Sequence, residues 1–281
     1  MSLLGAHISA AGGLHKAIER AESLGCEAMQ VFTRNPLQWH GRNLSDAETE
    51  AFRRALLSSG VKSVVSHASY LINLAGGDDV RGKSVSALKA EMERCYQLGI
   101  DAVVLHPGSA KEGDPAVARG RLSDSLRRVL DETDSCGVPI LLETMAGGGG
   151  TLGVSVEELA RVIETLEWET RLGLCADLCH LFGAGLDVAT ECGYERLVSS
   201  LSKHIGLDRV CCWHISDNKG TRGSGIDRHA HIGAGEIGTT PFGMLVSDDR
   251  FADTPVILET PKDGIGDEGN LALLRKLRGS W

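Results

Sequence analysis

No run of this 281-residue chain approaches the roughly 18 consecutive apolar residues that a membrane-crossing helix needs. Its first residues, MSLLGAHISAAGG, place no basic stretch ahead of an apolar one, so they do not read as a secretory leader, and a cytosolic protein is expected. No Pro/Ser-rich or charge-rich stretch divides the chain, which predicts a single domain over residues 1–281. Cysteine pairs are missing too. The eight cysteines include no C-x-x-C, and Cys26, Cys95, Cys136, Cys175, Cys211 and Cys212 fall on expected strands or helices, so core thiols are expected rather than a disulfide framework. Cys175 and Cys179 flank Asp177, but thiolate metal sites usually bring paired cysteines. Positive charge is also short. With 29 Lys and Arg against 38 Asp and Glu, the net charge of −9 excludes a protein that coats nucleic acid electrostatically, while leaving room for a local positive site. Gly147 to Gly150 lack the Lys-Ser/Thr of a P-loop, and read as a flexible rim loop rather than a phosphate cradle.

What is present is a repeat. Apolar runs close on a histidine or carboxylate and then break into a Gly-, Ser- or Asn-containing loop, ending at His7, His67, His106, Glu143, Asp177, His214 and Glu259. From His67 onward the intervals are 39, 37, 34, 37 and 45 residues, each long enough for a strand, a loop, a helix and a second loop. Strands are expected at Leu3 to Ile8, Ala28 to Phe32, Val61 to Ser66, Ala102 to Leu105, Val138 to Leu142, Arg171 to Ala176, Val210 to Trp213 and Val256 to Leu258. Helices alternate with them. Ser45 with Glu48 signals a capping box, Val85, Leu88, Met92 and Cys95 share one helix face, and a helix is expected from Leu197 to Ile205. Alternation of this kind predicts a parallel sheet closed into an α/β (β/α)8 TIM barrel, with an open doubly wound sheet as the runner-up. Polar strand ends spread around nearly all repeats favour the barrel, because an open sheet concentrates them at one switch point.

Closing the barrel brings those strand ends to one face. The segment CCWHISDNKGTRGSGIDRHAHIGAGEIG adds Asp227 and His229, which project to the same side of an extended backbone while Arg228 faces away. His180 lies one turn beyond Asp177. The inventory at this mouth is His67, His106, Glu143, Asp177, His180, His214, Asp227, His229 and Glu259. Singly, each also reads as a core histidine or a helix cap. Five imidazoles and four carboxylates crowded together are costly without cations, so a metal cluster is the economical account. His7 is left between a donor supporting a ligand and a core histidine.

The segments GAHISAAGG, SHASYLINLAG, LHPGS, ADLCHLFGAG, WHISDNKGTRGSGIDRHAHIGAGEIG and VILET resemble endonuclease IV, the metal-dependent abasic-site endonuclease family, in family order over essentially the whole chain. The resemblance implies three zinc ions. One is held by His67 and His106, one by Asp177, His214 and Glu259, with Glu143 bridging these two, and a third by His180, Asp227 and His229. Glu143 and Glu259 are then the catalytic carboxylates as well. Imidazole-rich ligation favours zinc over magnesium, with manganese or iron as the alternative at one site. The implied activity is hydrolysis of the phosphodiester 5′ to an abasic site in duplex DNA, leaving a 3′ hydroxyl and a 5′ deoxyribose phosphate, together with removal of 3′-blocking groups. The expected partner is abasic duplex DNA, with no membrane, and the expected state is a monomer.

Four positions depart from the family pattern: Leu37 stands in place of a usual Arg, Thr144 of Asn, Gly148 of Gln or Lys, and Ala234 of Glu. They bear on DNA engagement and on the tuning of the ligands rather than on the ligands themselves. Tyr70, Leu37 and Arg228 are the expected DNA contacts, Tyr70 as a wedge and Leu37 as an apolar filler of the gap left by a turned-out nucleotide. The rival function is a metal-dependent sugar isomerase or epimerase on a similar barrel, for which Glu143, Asp177, His214 and Glu259 would suffice as a one-metal site. That enzyme has no use for the other five ligands.

Overall fold

The computed structural model describes residues 1–280. In chain order the elements are β1 (Leu3–His7), α1 (Leu14–Ser23), β2 (Ala28–Val31), α2 (Asp46–Ser58), β3 (Ser63–His67), α3 (Asp78–Leu98), β4 (Ala102–Leu105), α4 (Pro115–Glu132), β5 (Ile140–Glu143) and α5 (Val156–Thr165). They continue as β6 (Leu172–Asp177), α6 (Leu178–Gly183), α7 (Glu191–His204), β7 (Val210–Ile215), β8 (Asp217–Asn218), β9 (His229–Ala230), α8 (Thr240–Ser247), β10 (Pro255–Leu258) and α9 (Gly266–Arg278). The strands close in the order β1-β10-β7-β6-β5-β4-β3-β2, every neighbour parallel, while β8 and β9 form a separate antiparallel pair. The expected TIM barrel is therefore the fold. Among the described residues, no helix is long and apolar enough to cross a membrane.

Local chemistry sets the element boundaries. Ser45 and Glu48 make the anticipated reciprocal capping box on α2. Asp114 caps α4 ahead of Pro115, and Ser155 caps α5. Helix α7 begins at Glu191, six residues before the expected Leu197, because the Thr190 side chain accepts from the Gly193 amide and caps an earlier turn. Strand β7 runs past Trp213 through His214 to Ile215, and its Cys211 is exposed rather than buried. The short helix α6 and the β8/β9 pair lie outside the expected elements: six and two residues are too few to carry a readable period.

The barrel interior holds its own apolar layer of Leu3, Ala28, Val65, Ala102, Val104, Leu141, Cys175, Cys212 and Ile257, to which all eight barrel strands contribute. Successive side chains alternate across a strand, so the residue two further on points inward again, one layer higher. Two residues beyond Ala28, Val65, Val104, Leu141, Cys175, Cys212 and Ile257, and four beyond Leu3, stand Gln30, His67, His106, Glu143, Asp177, His214, Glu259 and His7. The pleat of the sheet thus collects one polar side chain from each strand into a ring at the carboxyl end of the barrel.

Candidate metal centre

Glu143 lies at the middle of this ring and is fully buried. Its two oxygens divide their neighbours. Oε2 is 3.3 Å from His67 Nε2 and 3.1 Å from His106 Nε2, whereas Oε1 is 3.0 Å from His214 Nδ1 and 3.3 Å from His180 Nδ1. Glu259 Oε2 lies 3.7 Å from His214 Nδ1. The ligand atoms of Glu143, Asp177, His214 and Glu259 fall within 4.8 Å of one another, as do those of His67, His106 and Glu143, and those of Asp177, His180 and His229. Asp227 completes the last group, with Oδ2 3.2 Å from His180 Nε2 and Oδ1 2.9 Å from His229 Nε2. All nine anticipated ligands therefore meet in one place. Cys175 groups with Cys212 and His214 rather than pairing with Cys179.

Helix capping and site chemistry coexist in Asp177. Its Oδ1 accepts from the His180 amide at 2.7 Å and starts α6, which carries His180 round to the cluster. Its Oδ2 is buried without a hydrogen-bond partner among the described residues, as are His180 Nε2 and His229 Nε2.

The histidine tautomers decide what fits between these groups. His67 Nδ1 donates to the Ala68 carbonyl at 2.7 Å, His180 Nδ1 to the Thr144 carbonyl at 2.8 Å, and His229 Nδ1 to the Glu259 carbonyl. In each ring the outer nitrogen carries the proton, so the inner nitrogen of the neutral ring presents a lone pair. Those lone pairs face carboxylate oxygens. Two acceptors that close repel unless a cation sits between them, and a mixed imidazole and carboxylate set suits a divalent transition ion.

Protonation responds in the same sense. Burial favours neutral imidazoles, but the facing carboxylates outweigh it and push His67 up, and His180 and His214 well up. Burial is likewise overcome at His229, which the adjacent Asp227 carboxylate takes up to about 9. Burial also opposes ionisation of Glu143 and Glu259, yet the surrounding histidines, His214 foremost, hold both well below the usual carboxylate range. At Asp177 burial wins and raises the carboxyl.

Two groups of residues essential to this geometry escaped sequence reasoning. Gln30 is wholly buried and lies 2.7 Å from His214 Nε2 and 2.6 Å from Glu259 Oε1. A lone polar residue inside the apolar strand AMQV was its signal. The undecided His7 is its neighbour, with Nδ1 2.8 Å from Gln30 Nε2. Asp217 and Asn218 shape the loop that delivers Asp227. The Asp217 carboxylate accepts from the amides of Asn218, Gly235, Ile237 and Gly238, and Asn218 Nδ2 donates to the carbonyls of Cys179 and Ile226.

Around the mouth, Tyr70 is 52% exposed, with its ring 5.3 Å from that of His67 and 5.7 Å from that of His106. Leu37 is 69% exposed on a loop held by a buried Arg34–Glu91 ion pair of 3.1 Å, and Ser69 ties that loop to the Tyr70 loop by donating to the Pro36 carbonyl. Arg228 is exposed between the two ligands Asp227 and His229. A cavity of about 680 Å³ lies beside the ring rather than over it, lined by His7, Phe32, Arg34, Asn35, Arg42 and Arg94 among others.

Residues 18–278 match the family described as xylose isomerase-like TIM barrel. The chain is 45% identical over 280 residues to a probable endonuclease 4 of Chloroflexus aurantiacus, covering 99% of this chain and 98% of that protein. To a probable endonuclease 4 of Trichlorobacter lovleyi it is 44% identical, covering 98% of this chain and 99% of that one. Among solved structures, endonuclease IV from Thermus thermophilus superposes with a TM-score of 0.89 at 37% identity, over 99% of this chain and 100% of that one. A D-tagatose 3-epimerase-like protein shares the fold with a TM-score of 0.74 at 20% identity, over 99% of this chain and 97% of that one.

Proposed function

This chain belongs to the endonuclease IV family, and from that premise we propose that it is a DNA-repair hydrolase cutting the phosphodiester 5′ to an abasic site in duplex DNA. The products are a 3′ hydroxyl and a 5′ deoxyribose phosphate, and the same site clears 3′-blocking groups. The protein works as a monomer whose one domain is the barrel.

Its centre takes three zinc ions, with manganese or iron as the alternative at one position. His67 and His106 would hold one, Asp177, His214 and Glu259 a second, and His180, Asp227 and His229 a third, with Glu143 within reach of the first two groups. The observation that carries this assignment is the opposition of fixed imidazole lone pairs and carboxylate oxygens around Glu143 and Asp227. When bound, such ions supply Lewis acidity toward a phosphodiester and lower the pKa of water. The protein's part is placement. Glu143 sets the two halves of the site against each other through its separate oxygens, and the carbonyls of Ala68, Thr144 and Glu259 hold three rings in one tautomer. Six positive charges against four carboxylates leave about +2 at the mouth, which favours an anionic diester over the rest of an acidic protein. Tyr70, whose ring lies beside His67 and His106, presses on the lesion, and the exposed Leu37 and Arg228 make further contacts with the DNA.

Elemental analysis of purified protein separates this function from the sugar isomerase reading. About three zinc ions per chain fit the nuclease, whereas a single ion held by Glu143, Asp177, His214 and Glu259 fits the isomerase.

A further inference from the structure

Gln30 is the member of the ring contributed by β2, and its amide meets three partners. Nε2 is 2.6 Å from Glu259 Oε1 and 2.8 Å from His7 Nδ1, and Oε1 is 2.7 Å from His214 Nε2. The orientation of this amide follows from what its neighbours are able to accept. An ionised carboxylate accepts only, so the amide nitrogen faces Glu259 and the carbonyl faces His214. A carbonyl also accepts only, so His214 Nε2 carries a proton. The neutral ring then presents its lone pair at Nδ1, the atom 3.0 Å from Glu143 Oε1 and 3.7 Å from Glu259 Oε2. The second amide hydrogen goes to His7 Nδ1, and His7 rests on Phe32 with ring centroids 4.5 Å apart.

We infer that Gln30 is a positioning residue of the metal centre, whose neutral amide fixes the His214 proton on Nε2 and turns Glu259 so that Oε2 faces the cluster. The inference rests on the metal-centre reading above. His67, His180 and His229 obtain the same service from backbone carbonyls. His214 lies within β7, and its Nε2 points across the barrel to a side chain from another strand, so an amide supplies the acceptor. Every polar atom of that amide is occupied. A methionine of similar length leaves the His214 N–H and Glu259 Oε1 buried without partners. A glutamate keeps the acceptor for His214 but sets a second carboxylate against Glu259, at the place where the amide nitrogen is 2.6 Å away.

The test compares wild type, Gln30→Met and Gln30→Glu as zinc-loaded full-length proteins. Zinc release to a chromophoric chelator gives metal affinity, 15N-histidine NMR follows the His214 Nε2–H resonance, and circular dichroism checks the fold. Wild type is expected to show a slowly exchanging Nε2–H signal. Gln30→Met should lose that signal to exchange and release zinc at roughly 10- to 100-fold lower chelator concentration, the usual loss when a ligand's hydrogen-bond partner is removed. Gln30→Glu should keep the signal yet also release zinc more readily, and it decides the matter if Gln30→Met does not fold. Variants that hold zinc as tightly as wild type, with an unchanged Nε2–H signal, overturn this inference alone. A wild type that holds no zinc overturns the metal-centre reading, and this inference with it.

Discussion

Replacing Glu143 by glutamine keeps the shape of the side chain and removes the one charge that both halves of the centre share. The carboxylate is fully buried, with four imidazole nitrogens 3.0 to 3.3 Å from its oxygens. Water therefore does little to screen it. A unit charge acting on another over about 4 Å at an effective dielectric constant of about 20 is worth roughly 4 kcal/mol, or about a thousandfold in an equilibrium or rate. The amide also replaces one of the two oxygens that face these imidazoles with an NH2 group. Glu143→Gln should therefore cut abasic-duplex cleavage by about three orders of magnitude or more while the barrel stays folded. The assay is single-turnover cleavage of an end-labelled duplex carrying one abasic analogue, with zinc content and circular dichroism measured on the same preparation. Near-normal turnover with a full metal complement would refute the bridging role.

The rim residues separate binding from chemistry. Tyr70→Ala should weaken binding of abasic duplex but retain zinc and cleavage at saturating substrate, and a gel-shift titration showing unchanged affinity would sink the wedge. Leu37→Arg should bind at least as well and with a steeper dependence on salt if the new charge reaches a phosphate; an identical salt slope shows that it does not. Asp217→Ala removes the acceptor for the Gly235, Ile237 and Gly238 amides. Losing a hydrogen bond to a charged group costs about 2 kcal/mol, so exchange at these amides should quicken roughly thirtyfold, and unchanged protection would contradict the scaffold role of Asp217.

Most of this architecture is legible in the sequence because it is periodic. The barrel strands and most of the helices are long enough to show their pattern, and the histidines and carboxylates that end strands mark the active face. Gln30 is legible in principle, since it sits two residues beyond inward-facing Ala28 on the same face of β2. It escapes notice because an amide carries neither the charge nor the ligand chemistry that singles out its neighbours. The capping of α7 by Thr190 requires knowing that the chain turns there, which the weak pattern between Gly185 and Leu197 does not reveal. The loop from Asp217 to Gly238 is held by side chain to backbone hydrogen bonds, which leave no period in the sequence, so the extended Asp227-Arg228-His229 segment is readable while its support by Asp217 and Asn218 is not.

Hydrolysis of DNA beside an abasic site by tightly held transition ions at this barrel mouth is open to one direct test. Purified protein is incubated with EDTA to remove loosely bound magnesium and is then given a labelled abasic duplex, with both ends of the product mapped. A single incision 5′ to the lesion is expected with no metal added, leaving a 3′ hydroxyl that a polymerase extends. Cleavage that depends wholly on added magnesium, or no incision by zinc-replete protein, would contradict it.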